Sequence, residues 1–158
     1  MTRNGKVDLS MILNEEYTND LTIFQNKLKS FCSGKSRPVV YITDNYILNN
    51  YSSDQNYANN LKTLLVFIGV GDIELRSEAD IKNHKFSSDL ASFTSDMNAL
   101  GRNVNFQHFA SHDRFWIIEE NALSIGTSLN GILAGEKTLI KILDKKETAD
   151  VKNDYGIN

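Results

Sequence analysis

The residues of this 158-residue chain best suited to chemistry lie close together: His112 and Arg114, then Gly126, Thr127, Ser128 and Asn130. An imidazole and a guanidinium two positions apart, followed by a glycine, two hydroxyls and an amide, suit the holding of a phosphate. Arg offers a planar fork of donors that matches phosphate oxygens, and small residues let an anion approach backbone N–H groups. A neutral imidazole beside a bound phosphate can attack phosphorus or move a proton.

A β-hairpin must bring these groups together. Phe115 to Ile118 and Leu123 to Ile125 are apolar runs of strand length, rich in aromatic and β-branched residues, with Glu120-Asn121 as a two-residue turn between them. Pairing Glu119 with Ala122 places Arg114 opposite Thr127, Asp113 opposite Ser128 and His112 opposite Leu129. With a side-chain period of two, His112 and Arg114 leave the same face of the strand.

The segment His112-Asp113-Arg114-Phe115-Trp116-Ile117-Ile118-Glu119, with Gly126-Thr127-Ser128-Leu129-Asn130-Gly131 after it, resembles the signature of the phospholipase D superfamily, His-x-Lys-x4-Asp-x6-Gly-Ser-x-Asn. Arg114 stands at the Lys position, Glu119 at the Asp position and Thr127 at the Ser position. Leu129 falls where the family has Asn, and Asn130 lies one residue late. The wording is similar to that of bacterial and phage phospholipase D-like domains that carry Arg after the His. Glu119 is five residues from Arg114, about 17 Å along a strand, and is read as structural.

The resemblance implies a metal-independent and cofactor-free phosphodiesterase of nuclease type. His112 attacks phosphorus to give a phosphohistidine, a second His protonates the leaving oxygen, and Arg114 with Gly126, Thr127, Ser128 and Asn130 holds the phosphate. With one copy of the motif, activity implies a homodimer that brings two copies of His112 together, acting on nucleic acid or another phosphodiester. Lys to Arg, Asp to Glu and the displaced Asn support a second expectation, a catalytically degenerate module that binds a phosphate-bearing ligand or a protein partner. A third is a structural domain of a defence or mobile-element protein.

Composition narrows the field. A net charge of −3 gives no overall basic field of the kind nucleic-acid binders usually show, leaving only a local groove with Arg102, Arg114, Lys137 and Lys141. The single cysteine, Cys32, excludes an intrachain disulfide and a Cys-rich zinc site, and is expected to be a buried small hydrophobe. No metal site is expected. There is no apolar run long enough to span a membrane and no signal-peptide pattern, so a cytoplasmic, soluble protein is expected. Residues 1–158 fit one domain, alone or cut from something longer.

The remaining elements follow from periodicity. Val7, Leu9, Met11 and Leu13 alternate with polar residues as in a half-buried strand. Thr18 offers a cap to a helix carrying Leu21, Phe24, Leu28 and Phe31, and Pro38 to Ile42 reads as a buried strand. Asp44 and Tyr46 open a loop at its end, where they line a cleft or close a local turn. Ser52 with Gln55 resembles a capping box for a helix through Leu61 and Ile68, and Val70 to Arg76 reads as a strand. Gly69-Val70-Gly71 faintly echoes phosphate-binding glycines, but it follows a helix. Phe86, Leu90, Phe93, Met97 and Leu100 mark a helix started by Ser87 or Ser88, and Asn103 to Phe109 a strand. His84 and His108 are read as structural or surface residues. Asn130-Gly131 is a turn, Thr138 to Leu143 a last strand, and the tail from Lys145 a short helix or a frayed end. Together these predict an α/β protein, a three-layer α/β/α sandwich around a mixed sheet of six or seven strands, and the phospholipase D resemblance implies the same architecture.

Overall fold

The computed structural model describes residues 14–158; the strand expected over Val7 to Leu13 lies outside them. Among the described residues, seven strands and five helices follow in the order β1 (Glu15–Thr18), α1 (Leu21–Phe31), β2 (Val40–Thr43), α2 (Gln55–Ile68), β3 (Ile73–Ser77), α3 (His84–Ala99), β4 (Val104–His108), β5 (Phe115–Ile118), β6 (Asn121–Ile125), α4 (Leu129–Leu133), β7 (Thr138–Ile142) and α5 (Lys145–Asp154). The strands form one mixed sheet in the order β1-β7-β6-β5-β2-β3-β4. β2, β3 and β4 are parallel, as helical crossovers require, and the remaining pairs are antiparallel. No helix among the described residues is long and apolar enough to cross a membrane.

One sheet face carries Val40, Ile42, Ile73, Leu75, Trp116, Ile118, Leu123, Ile125 and Ile140, in one buried cluster with Phe24, Leu28 and Phe31 of α1, Leu61, Leu65 and Ile68 of α2, and Phe93 and Met97 of α3. The stripes predicted for these helices are the ones that pack, except for Leu100, which lies just past α3 and is exposed. Phe24 meets Trp116 edge to face at 5.4 Å, a favourable orientation of the two ring quadrupoles. Ile117 and Ala122, whose side chains leave the opposite face, pack with Tyr155 and Ile157 at the end of α5.

Several boundaries differ from the sequence reading, each for a physical reason. Thr18 ends β1, and Asp20 caps α1 by accepting from Thr22 N–H at 2.9 Å. Asp54 caps α2, while Ser52 is drawn away by Asp89, whose Oδ1 accepts from the Ser52 N–H at 2.8 Å and hydroxyl at 2.6 Å. Asn83 caps α3, one turn earlier than Ser87, whose hydroxyl donates to the Ile81 carbonyl. Asn130-Gly131 lies inside α4, and the tail is helical because Asp144 and Glu147 form a reciprocal capping box.

The glycines after α2 are structural. Gly69 takes φ +88 at the helix end and donates to Val66 O. Gly71 donates to Pro38 O at 2.8 Å, and a Cβ there would sit 2.4 Å from Arg37 O. Both chains at that crossing are backbone, so Gly71→Ala is expected to lower stability by about 2 kcal/mol, read as a shift of the urea midpoint with the slope unchanged.

Candidate functional site

The observed hairpin is offset from the expected register. Ile118 pairs with Asn121, Ile117 with Ala122 and Phe115 with Ser124, so the turn is Glu119-Glu120 and not Glu120-Asn121. Glu119 supplies the left-handed φ of 51° that the turn needs, and its carboxylate lies 3.1 Å from Lys35 Nζ. The structural role expected of Glu119 therefore takes the form of the turn itself. The offset moves Thr127 and Leu129 past the partners expected for them: Arg114 O now accepts from Ile125 N–H at 3.1 Å.

His112 and Arg114 also precede the strand, which begins at Phe115. Residues 111–114 form an extended strap tied across the ends of β2 and β3. Asn45 Nδ2 donates to Ser111 O at 2.8 Å and Asn45 Oδ1 accepts from Glu78 N–H at 2.9 Å. Thr43 Oγ1 donates to Asp113 O at 3.1 Å and accepts from Phe115 N–H at 2.9 Å. The Ser111 and Tyr155 hydroxyls lie 2.6 Å apart.

On this strap the two candidate side chains diverge in their surroundings. His112 is 82% exposed, with Nδ1 3.7 Å from Glu78 Oε1. Arg114 is half-buried; its Nη1 donates to Gly126 O at 3.2 Å and its guanidinium lies 5.9 Å from the centre of the Tyr46 ring. Gly126 thus meets Arg114 through its carbonyl, an acceptor, and its own N–H donates to Leu139 O at 2.8 Å.

Asp44 joins the two halves of the site. It is 2% exposed. One carboxylate oxygen accepts from Tyr46 N–H at 2.9 Å, the local turn bond foreseen for it. The other accepts from the Ser128 hydroxyl at 3.0 Å and from Leu129 N–H at 3.3 Å. Asn130 reinforces the connection, with Nδ2 donating to Tyr46 O at 2.6 Å. Burial raises the Asp44 pKa above the ordinary carboxylate value, against the lowering influence of its hydrogen bonds to Tyr46, Ser128 and Leu129 and of the Arg114 charge.

Of the expected phosphate holders, Ser128 and Asn130 turn inward to the end of β2. Thr127 lies against α4, where a Cβ on Gly131 would come within 2.6 Å of its hydroxyl oxygen. Tyr46 lines the cleft beside the strap, one of the two sequence readings, whereas Asp44 is buried and closes the local turn, the other. Glu78, Asn45 and Ser111 were not foreseen, because their contacts join segments more than thirty residues apart. Beside Glu78 opens a cleft of about 360 Å³ lined by Asn45, Tyr46, Asp80, Lys85 and Asp89 among others.

The basic groove does not form. Arg102 is buried at the other end of the parallel strands, donating to Val70 O and Leu100 O, both at 3.0 Å, and Lys141 is paired with Glu147 at 2.8 Å. No group of three or more His, Cys, Asp or Glu among the described residues could hold a metal ion. Cys32 is buried, as expected.

The fold and site together define an α/β domain in which the Arg114 charge acts on the buried Asp44 carboxylate at the end of a mixed sheet, while His112 stands in solvent beside Glu78. No protein-family model matches the sequence, and no curated protein matches it. Among solved structures, the chain is similar to TrmBL2, an archaeal chromatin protein whose structure is described as showing a novel mode of DNA binding, with 12% identity and a TM-score of 0.46. The match covers 92% of this chain and 51% of that one, so this chain spans about half the length of TrmBL2.

Proposed function

We propose that this chain is a phospholipase D-like module, a three-layer α/β/α sandwich, that binds a phosphate-bearing ligand without cleaving it. One observation carries the reading: Asp44 already accepts from the Ser128 hydroxyl and the Leu129 N–H. In the hydrolytic scheme such donors would hold the phosphate oxygens through the transition state. Here an internal carboxylate takes them up, and when ionised it repels a second anion at the same place.

The groups left for a ligand are on the rim. Arg114 has donors beyond its single bond to Gly126 O, and His112 is open to solvent. A phosphate approaching the strap from outside would meet these two. The cleft beside them carries Glu78, Asp80 and Asp89 against Lys85, an acidic balance that disfavours a long polyanion.

A hydrolytic reading draws on a different feature. Ser128-Leu129-Asn130 keeps the Ser-x-Asn spacing of the family one residue late, and both polar side chains turn to the site. That reading needs His112 of a second copy as the acid. Incubation with supercoiled plasmid and with a chromogenic phosphodiester, both in EDTA, separates the two. We expect no cleavage by the wild-type chain. Cleavage that disappears in His112→Ala would establish the hydrolytic reading and overturn the binding one.

A further inference from the structure

The two edges of the sheet differ in how they are protected. β1, at one end, carries Glu15 and Glu16 in a four-residue strand. β4, at the other, lies in the run Asn103-Val104-Asn105-Phe106-Gln107-His108-Phe109, which contains no Lys, Arg, Asp, Glu or Pro. Charges and prolines are the usual means by which an edge strand avoids pairing with another strand.

The ladder to β3 determines which backbone groups are free. Ile73 N–H donates to Asn103 O at 2.9 Å, and Phe109 N–H donates to Ser77 O at 2.8 Å. In a parallel ladder alternate residues bond to the same neighbour, so Asn103, Asn105, Gln107 and Phe109 turn their backbone to β3. Val104, Phe106 and His108 turn theirs outward. No described residue bonds to the N–H or C=O of these three.

We propose that β4 pairs antiparallel with β4 of a second copy about a two-fold axis at Phe106, joining two sheets into one. The parity permits it. With Phe106 opposite the second copy's Phe106, Val104 falls opposite His108, and every outward N–H finds an outward C=O in three hydrogen-bonded pairs. Asn105 then lies opposite Gln107 in the non-hydrogen-bonded pairs, where side chains are closest and two amides can bond to each other. Phe106, already packed on Phe86 at 5.1 Å, meets its own equivalent at the axis. No like charges face each other anywhere along the run. The pairing is isologous, as a two-fold dimer requires.

This inference is independent of the phosphate site. Antiparallel pairing sends the two copies of His112 to opposite ends of the joined strands, on the order of 30 Å apart, so the dimer is not the one that would assemble a two-histidine centre.

The test is the mass of the 158-residue chain by sedimentation over about a hundredfold dilution series, where a reversible dimer must show concentration dependence. We expect a monomer of 17.8 kDa when dilute and twice that mass when concentrated. His108→Pro removes an N–H that has no partner within the chain, so the protomer keeps its far-UV spectrum while the dimer weakens at least about tenfold. Asn105→Glu with Gln107→Glu, which sets like charges opposite each other on an exposed face, is expected to abolish dimerisation. Asn105→Lys with Gln107→Glu is expected to retain or strengthen it. A strict monomer at every concentration overturns the proposal, as does a dimer indifferent to His108→Pro and to the paired glutamates. Protection of the Val104, Phe106 and His108 amides from exchange in the dilute monomer would also overturn it, because a segment of the same chain would then occupy the edge.

Discussion

Trp116→Ala is expected to lower the stability of the fold by about 4 kcal/mol, the scale for deleting a large buried aromatic. Trp116 is fully buried, lies in register between Ile42 of β2 and Leu123 of β6, and meets Phe24 of α1 edge to face. It is therefore where the antiparallel half of the sheet, the parallel half and the first helix join. Truncation leaves a cavity that the flanking strands cannot close, since their hydrogen bonds fix their spacing. For a chain of this length the loss corresponds to a fall in Tm of about 8–16 °C. Trp116→Phe should cost far less, because an edge-to-face ring contact with Phe24 survives and the indole N–H, which has no protein partner, is removed. Circular dichroism melts of both variants check the pair. A small effect of the alanine variant would mean that the core is not organised around this residue.

Asp44→Ala is expected to cost about 3 kcal/mol, because three donors lose their acceptor together: Tyr46 N–H, the Ser128 hydroxyl and Leu129 N–H. Each buried donor left unsatisfied costs about 1–3 kcal/mol, partly offset by removing a buried charge. The pH dependence has a definite sign. Burial raises the folded-state pKa of Asp44 above its unfolded value, so its ionisation opposes folding. The contribution of Asp44 to stability is least favourable above the folded pKa. It improves as pH falls through that pKa toward the ordinary carboxylate range, and is constant below. Asp44→Asn should remove this dependence while retaining the bond to Tyr46 N–H. Urea midpoints of wild type and Asp44→Asn, compared between neutral and acidic pH, check it: the wild type is expected to gain on the variant as pH falls.

The helices were legible because their apolar stripes recur at helical spacing, and Phe24, Leu28, Phe93 and Met97 are buried where the stripes placed them. Their first turns were not: the caps expected at Thr18, Ser52 and Ser87 or Ser88 give way to Asp20, Asp54 and Asn83, and Ser52 is claimed by the distant Asp89 and cannot cap α2. β1 escaped notice since Glu15-Glu16-Tyr17-Thr18 has the polarity of a sheet edge and no apolar alternation. The hairpin was legible as a hairpin but not in register. Trp116, Ile117 and Ile118 are all buried, as are Ala122 and Leu123, so no exposed face distinguishes one pairing from its neighbour. The motif singled out Arg114 and Ser128, and both act on Asp44, Ser128 by its hydroxyl and Arg114 by its charge. That an aspartate 84 positions away from Ser128 would take its hydroxyl was beyond any local pattern, although Asp44 itself stood out at the end of a buried strand.

The reading of this site as one that holds a phosphate group without breaking its ester bond is tested most directly by phosphorus NMR. A dinucleotide phosphodiester is titrated with the protein in EDTA and followed for long enough to detect slow turnover. The diester resonance is expected to shift or broaden with added wild-type chain, to do neither with Arg114→Ala, and to give rise to no other phosphorus signal. A growing monoester or phosphohistidine resonance, or a diester resonance that ignores the protein altogether, would contradict it.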